Sequence, residues 1–316
     1  MTQIGQDIQA ARQLLEQNQV VGIPTETVYG LAANALSPDA VLTIFQVKNR
    51  PAFDPLIVHI DSPAKLDRLV EHIPEPAFQL AEAFWPGPLT LLLPKKDIVP
   101  DLTTSGLDTV AIRIPNHPLT LELLRSLDFP LAAPSANPFG YISPTSAQHV
   151  ADQLGDQVPY ILDGGISQVG LESTIIGFDE PQPTVFRLGG IALEAIEAVI
   201  GPVNVRSHST SNPQAPGMLS SHYAPRKPLT LLTDDQLPKP DAASGALVFT
   251  TPFEGISLQN QYVLSPTGDP NEAARHLFSY LRALDKLPVS HIYAQLLPDE
   301  GLGRAINDRL RRAATR

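Results

Sequence analysis

Val20-Val21-Gly22-Ile23-Pro24-Thr25-Glu26-Thr27-Val28-Tyr29-Gly30 carries the reading of the fold. A short apolar run stops at a proline and gives way to a dense polar turn ending in glycine, the place where α/β proteins keep their binding loops. Upstream, Ile4, Ile8, Ala11 and Leu15 recur at helical spacing over residues 4 to 18, so the chain opens as helix then strand. Downstream, Ser37-Pro38 reads as an N-cap followed by proline at the first helical position, opening a helix that carries Val41, Ile44 and Phe45 toward Lys48.

The same style continues. Leu56–Ile60, Leu89–Leu93 and Val110–Ile114 read as strands, with helical patterns near 76 to 84 and 118 to 126. Tyr160–Asp163, Thr174–Phe178 and Thr184–Leu188 follow as strands, and a helix runs to about 200. Strands outnumber helices beyond strict alternation, which predicts a twisted mixed sheet with a concave site. Residues 206 to 217 have no periodicity and no large apolar side chain. A first domain over 1–201, a linker over 202–226 and a smaller α/β domain over 227–316 are therefore expected. In the last, strands at 229–232, 246–249, 261–264 and 291–295 surround a helix near 270–284, and a basic helix ends the chain.

Composition narrows the function classes. The 316 residues contain no cysteine and 8 histidines, which excludes thiolate chemistry and disfavours a protein-held metal. The net charge of -11 argues against broad nucleic-acid binding. No run approaches a membrane span and no leader opens the chain, so a soluble cytoplasmic protein is expected. Many of the 32 prolines sit at element boundaries, where they stiffen loops around a site.

Several polar residues could act on a nucleotide. Lys48 and Arg50, two apart before Pro51, would share a side of an extended segment and clamp phosphates. They also fit a solvated loop with unrelated cations. Arg113 and Arg187 each end an apolar strand. Ser135 and Asn137 lie in a Pro-Ser-Ala-Asn turn and Ser143 starts the next helical pattern, so they suit phosphate binding or plain capping equally. Thr27 could hold a small amino acid or sugar, and His59 is either a ligand contact or a satisfied strand histidine. No Walker-type or dinucleotide-binding glycine motif occurs.

These stretches, in order, resemble the YrdC-type family of threonylcarbamoyl-adenylate synthases in its longer two-domain form. The resemblance rests on Pro24–Leu31, Lys48-Asn49-Arg50-Pro51, Pro55–His59, Trp85–Thr90, Arg113-Ile114-Pro115, Ser135-Ala136-Asn137, Glu172-Ser173-Thr174 and Arg187–Gly190. Pro216–Pro225 and Gly301–Leu310 carry it into the second half. It implies a YrdC-like domain followed by a Rossmann-like one, and the joining of L-threonine, bicarbonate or carbon dioxide, and ATP into L-threonylcarbamoyl-adenylate and pyrophosphate. A downstream transferase complex would then modify tRNA. By the same resemblance, Thr27, His59, Arg113, Ala133 and Ser173 surround threonine. Lys48, Arg50, Ser135, Asn137, Ser143 and Arg187 surround ATP, with Tyr223 covering it.

Lys48, Arg50 and magnesium would steady the phosphates while Arg113 holds the carbamate in line. Asp54 stands where the family often has asparagine, and an ionised carboxylate there would repel ATP. An RNA-binding module and a related carbamoyl-transferring or adenylating enzyme are the alternatives. The terminal arginines 304, 309, 311, 312 and 316 read as a solvated helix face on a scaffold domain or as a contact for tRNA or a partner.

Overall fold

The computed structural model describes residues 2–178, 182–207, 213–218, 223–232 and 243–315. Parts of the stretches read as linker and cover, 208–212 and 219–222, and the terminal Arg316 lie outside the described residues. Nine α-helices are described: α1 (Ile8–Glu16), α2 (Pro38–Lys48), α3 (Glu75–Phe84), α4 (Asp101–Thr104), α5 (Pro118–Arg125), α6 (Ala147–Leu154), α7 (Leu193–Ile200), α8 (Pro270–Lys286) and α9 (Leu302–Ala314).

Among the described residues, eleven strands form one mixed sheet. Its spatial order is β1 (Gln3–Gly5), β8 (Tyr160–Leu162), β2 (Val21–Ile23), β3 (Gly30–Asn34), β7 (Leu131–Ala132), β4 (Ile57–His59), β6 (Thr109–Arg113), β5 (Leu89–Pro94), β9 (Thr174–Gly177), β10 (Thr184–Arg187) and β11 (Asn204–Val205). A second sheet, parallel throughout, runs β12 (Leu229–Leu232), β15 (His291–Gln295), β13 (Ser244–Val248), β14 (Gln261–Val263). The architecture is thus an α/β domain on a mixed sheet followed by a smaller α/β domain.

Local chemistry sets the element ends. The Ser37 hydroxyl accepts from Ala40 N, Pro38 occupies the first turn, and Asn49 ends α2 in the left-handed region with φ 50°. The expected helix over 4–18 is shorter than its pattern, because Gln3–Gly5 pair with β8 and the Asp7 side chain caps α1. Ser143 does not start a helix: Ser146 caps α6, accepting from His149 N at 3.2 Å. The linker boundary shifts as well. Asn204 and Val205 pair with β10, and Arg206 N donates to Val185 O, so the chain stays in the sheet beyond 201.

Strand alternation sorts side chains between the faces. Leu56, Val58, Ile60, Val110 and Ile112 join the main core, whereas Ile57, Ala111, Ile175 and Phe186 turn to the opposite face. Ala215 and Met218 from the connecting segment pack onto that second face. Helices α8 and α9 bury Leu277, Phe278, Leu281, Ile306 and Leu310 in the core of the smaller domain.

Candidate active site

One row of paired residues crosses five strands on the Ile57 face. His59 pairs with Arg113, Arg113 with Thr90, Thr90 with Ile175, and Ile175 with Arg187. The last step needs an irregularity. Arg187 would point away from Phe186 in a regular strand, but a bulge between Val185 and Arg187 turns both toward the same side.

Across the sheet edge, Gly30 bridges Ser135, Tyr29 N donates to Pro144 O, and Leu31 N donates to Pro134 O. The two turns singled out in the sequence thus close one cavity of about 600 Å³, counted with the solvent at its mouth. Thr27, Arg50, His59, Arg113, Ala133, Ser135, Ser173, Arg187 and Tyr223 all lie on its wall. Three guanidiniums face one wall carboxylate, Glu172, in a chain of net charge -11.

Each cation is held by several partners. Arg113 donates from Nη1 to Thr27 Oγ1 at 2.8 Å and from Nε to Gly87 O at 3.2 Å, and Nη2 lies 2.7 Å from Glu26 Oε1. Thr27 passes its proton on: its hydroxyl meets Thr25 Oγ1 at 2.7 Å, and Thr25 Oγ1 donates to Val28 O at 2.6 Å. Arg187 grips Ser173 twice, from Nε to its carbonyl and from Nη2 to its hydroxyl, both at 2.9 Å. The Ser173 hydroxyl also meets Thr90 Oγ1 at 2.6 Å.

Arg50 donates to the carbonyls of Asp54 and Pro55 and pairs with Asp54 Oδ2 at 2.9 Å. Asp54 is completely buried and off the cavity wall, so its charge is spent on Arg50 and does not confront the ligand space. The repulsion expected from the sequence is thereby removed.

Burial and neighbouring charge move the titrations. His59, with burial and Arg113 acting together, is pushed down to about 3 and stays neutral; its Nδ1 lies 3.2 Å from Ile57 O. Burial brings Arg187 down to about 10, still protonated near neutrality. Burial opposes the Glu172 carboxylate, but Arg309, Arg187 and the Ser143 hydroxyl outweigh it and hold its pKa below the usual range.

Three expected contacts stand elsewhere. Lys48 ends a helix, not an extended segment, and its spacing from Arg50 across the left-handed Asn49 does not put both on one wall. Its buried Nζ donates to the carbonyls of Ser135 and Asn137, the latter at 2.5 Å, and burial lowers its pKa well below the usual lysine value. Asn137 is buried and donates to Pro138 O and Tyr141 O. Ser143 donates to Glu172 Oε1 at 2.6 Å. Lys48 and Asn137 sit behind the wall because they fix the backbone of the turn from 134 to 145, and Ser143 because its hydroxyl is committed to Glu172.

The sequence assigns Glu172 no role, although it stands beside Ser173, and leaves the terminal helix as a solvated face or a contact for tRNA or a partner. The side chains of Arg309 and Arg312 are 0% and 3% exposed, so they form no solvated face or tRNA contact surface. They flank the ring of Tyr223 at 5.0 and 4.9 Å, and Phe278 stacks on it at 5.6 Å. Gly217, with φ 78°, passes so close that a Cβ would lie 3.2 Å from Arg187 Nη1.

No helix among the described residues is long and apolar enough to cross a membrane. Nor do three or more His, Cys, Asp or Glu residues gather there to hold a metal. Glu172 already accepts from Ser143 and pairs with Arg309, so the donor set does not fit a protein-held ion.

Comparison with known proteins agrees with this geometry. Residues 13–189 match the Sua5/YciO/YrdC family model, described as "Telomere recombination", and 191–315 match the model for the threonylcarbamoyl-AMP synthase C-terminal domain. The chain is 41% identical over 320 residues to the threonylcarbamoyl-AMP synthase of Pyrococcus abyssi, covering 97% of this chain and 94% of that one. It is 43% identical to the Bacillus subtilis enzyme of the same name, at 97% and 92% coverage. The crystal structure of P. abyssi Sua5 complexed with L-threonine superposes with a TM-score of 0.90 and 38% identity, over 99% of this chain and 97% of that one. With both halves matched and the cationic cavity at the predicted turns, the chain belongs to the Sua5/YciO/YrdC family in its two-domain threonylcarbamoyl-AMP synthase form.

Proposed function

We infer that the chain is a threonylcarbamoyl-AMP synthase, a nucleotidyltransferase joining L-threonine, bicarbonate or carbon dioxide, and ATP into L-threonylcarbamoyl-adenylate and pyrophosphate. The observation that carries this is similarity along nearly the whole chain to synthases of that name, together with a cavity walled by three arginines. In this reading the catalytic domain runs from residue 1 through the strand Asn204–Val205, slightly beyond the expected end at 201, the remainder up to 226 is the linker crossing the site, and 227–316 is the C-terminal domain. The product serves tRNA threonylcarbamoyladenosine formation through a downstream transferase complex.

Threonine occupies the end of the cavity at Thr27, His59, Arg113, Ala133 and Ser173. Its carboxylate takes the second N–H of each Arg113 Nη, because Thr27 and Glu26 already orient the guanidinium plane. Neutral His59 adds no charge that would hold the amine away from the carboxylating carbon. ATP lies along Arg50, Ser135 and Arg187 beneath Tyr223, while Lys48 and Asn137 set the backbone that receives it and Ser143 holds Glu172. Magnesium enters as the ion complexed to the triphosphate, as part of the substrate.

The threonine amine first bonds to the carbon of carbon dioxide, giving a carbamate and releasing a proton; with bicarbonate as the source, the same N–C bond forms as a C–O bond breaks and water leaves. A carbamate oxygen then bonds to the α-phosphorus, and the bond to the β-phosphate oxygen breaks to release pyrophosphate. Arg50 and Arg187 stabilise the charge that develops on the phosphates, and positioning supplies most of the rate enhancement. Both carbamate and mixed anhydride hydrolyse readily, so a covered site protects them. Mixing the protein with the three substrates and magnesium should give a mass corresponding to threonylcarbamoyl-adenylate, with pyrophosphate in equal amount. Pyrophosphate release that does not depend on threonine would overturn the assignment.

A further inference from the structure

The cavity that receives an anionic nucleotide carries a buried carboxylate in its wall. Glu172 is 6% exposed, and among the cavity-lining residues it is the only acidic one. Next to a triphosphate such a charge is unfavourable unless something neutralises it.

The neutralising group comes from the other domain. Arg309 of α9, 137 positions further along the chain, places Nε 3.0 Å from Glu172 Oε2, and its side chain is fully buried. The same guanidinium donates from Nη2 to Leu188 O at 2.8 Å and pairs with Asp308 Oδ2 at 2.7 Å. Its flat face lies 5.0 Å from the centre of the Tyr223 ring. One side chain therefore touches the wall carboxylate, the turn leading from Arg187 into Gly189, and the aromatic group on the cavity wall.

We propose that Arg309 is a positioning residue of the nucleotide site, holding Glu172 electrically neutral and seating Tyr223, so that the C-terminal domain completes the ATP pocket. This rests on the functional reading above and adds to it a residue from outside the catalytic domain. A guanidinium is suited to the task because its fork can serve Glu172 and Leu188 at once while its face packs on an aromatic ring. Burial of the pair makes it sensitive: with the cation gone, the carboxylate is left in a desolvated wall facing the phosphates.

The test is calorimetric titration of the full-length protein with a non-hydrolysable ATP analogue. Arg309→Met should raise the dissociation constant by about tenfold or more. Glu172→Gln, which removes the anion, should bind no more weakly than wild type. The double variant should recover most of the loss, because the cavity wall then carries no unpaired carboxylate and Asp308 keeps Arg312 as its partner at 3.4 Å. Arg304→Ala, on the same helix as Arg309, breaks a solvent-accessible pair with Glu194 of α7 and should leave binding unchanged.

A merely structural contact would make both single variants weaker and the double weaker still, and that pattern overturns the proposal. Wild-type affinity in Arg309→Met overturns it too. If Arg309→Met does not fold, Arg309→Lys keeps the charge but neither the fork nor the stacked face, and should bind within about tenfold of wild type; a larger loss counts against neutralisation. Failure of the wild type itself to bind the analogue would instead sink the functional reading, so the two failures are distinguishable.

Discussion

Replacing His59 with Asn should flatten the acid sensitivity of the catalytic domain. His59 is 2% exposed, and burial with the Arg113 charge lowers its pKa to about 3, against about 6.5 in an unfolded chain. Above the unfolded value both states hold a neutral ring, and the stability linked to this group is fully present. As the pH falls through the unfolded value, the unfolded chain takes a proton that the folded one refuses, and stability is lost down to the folded pKa. Between about pH 7.5 and about pH 5.5 the loss amounts to roughly 1.4 kcal/mol. Trp85, the only tryptophan of the chain, donates from Nε1 to Leu89 O just ahead of β5 and reports on the domain that holds His59. Urea titrations followed by its fluorescence at the two pH values should show wild type losing about 1.4 kcal/mol more than His59→Asn. His117 and His149 are also lowered by burial, but they are common to both proteins and cancel in the difference. Equal losses in the two proteins would refute the reasoning.

Arg187→Lys keeps a charge but cannot span the Ser173 carbonyl and hydroxyl together. A cost of about 2 kcal/mol, roughly 30-fold in kcat/KM, is expected from steady-state pyrophosphate release. Lys48→Met should both raise the ATP KM and lower the urea stability by about 2 kcal/mol, because the Ser135–Asn137 turn loses its buried donor. Unchanged stability with a lowered kcat would put the amine on the substrate instead. Gly189→Ala should destabilise by about 3 kcal/mol in the same fluorescence assay, since its Cβ would lie 2.4 Å from the Glu172 carbonyl oxygen. Tyr223→Ala should raise the ATP KM, and an unchanged value would remove its covering role.

Sequence legibility followed the physics of each element. The α2 helix could be read because capping and proline chemistry are local: Ser37 and Pro38 announce its start. Ile57 and His59 could be assigned to one face because strand alternation is equally local. The β3 and β7 strands escaped notice, being short and rich in alanine; pairing across the sheet makes them strands. Lys48 was misplaced for a different reason. A left-handed residue at Asn49 converts a spacing of two into divergent directions, and nothing but backbone geometry announces it. Arg187 reached the site through a bulge, which leaves no residue-type signature in Thr184–Arg187. Arg309 was hidden by its own pattern, because a basic amphipathic helix looks solvated until a second domain supplies carboxylates and a ring to bury it against.

Ala215 and Met218 share a cluster with Ile57, Leu92, Ala111, Ile175 and Phe186, so the segment that contributes Pro216 and Gly217 to the cavity wall is itself held by hydrophobic packing. If nucleotide exchange requires this segment to peel away, apolar surface meets water at the crest of that step, and hydration of such surface raises the heat capacity. The activation heat capacity for exchange is then positive, and an Eyring plot of the release rate should curve upward on warming. Trimming Met218 to a smaller side chain would straighten it.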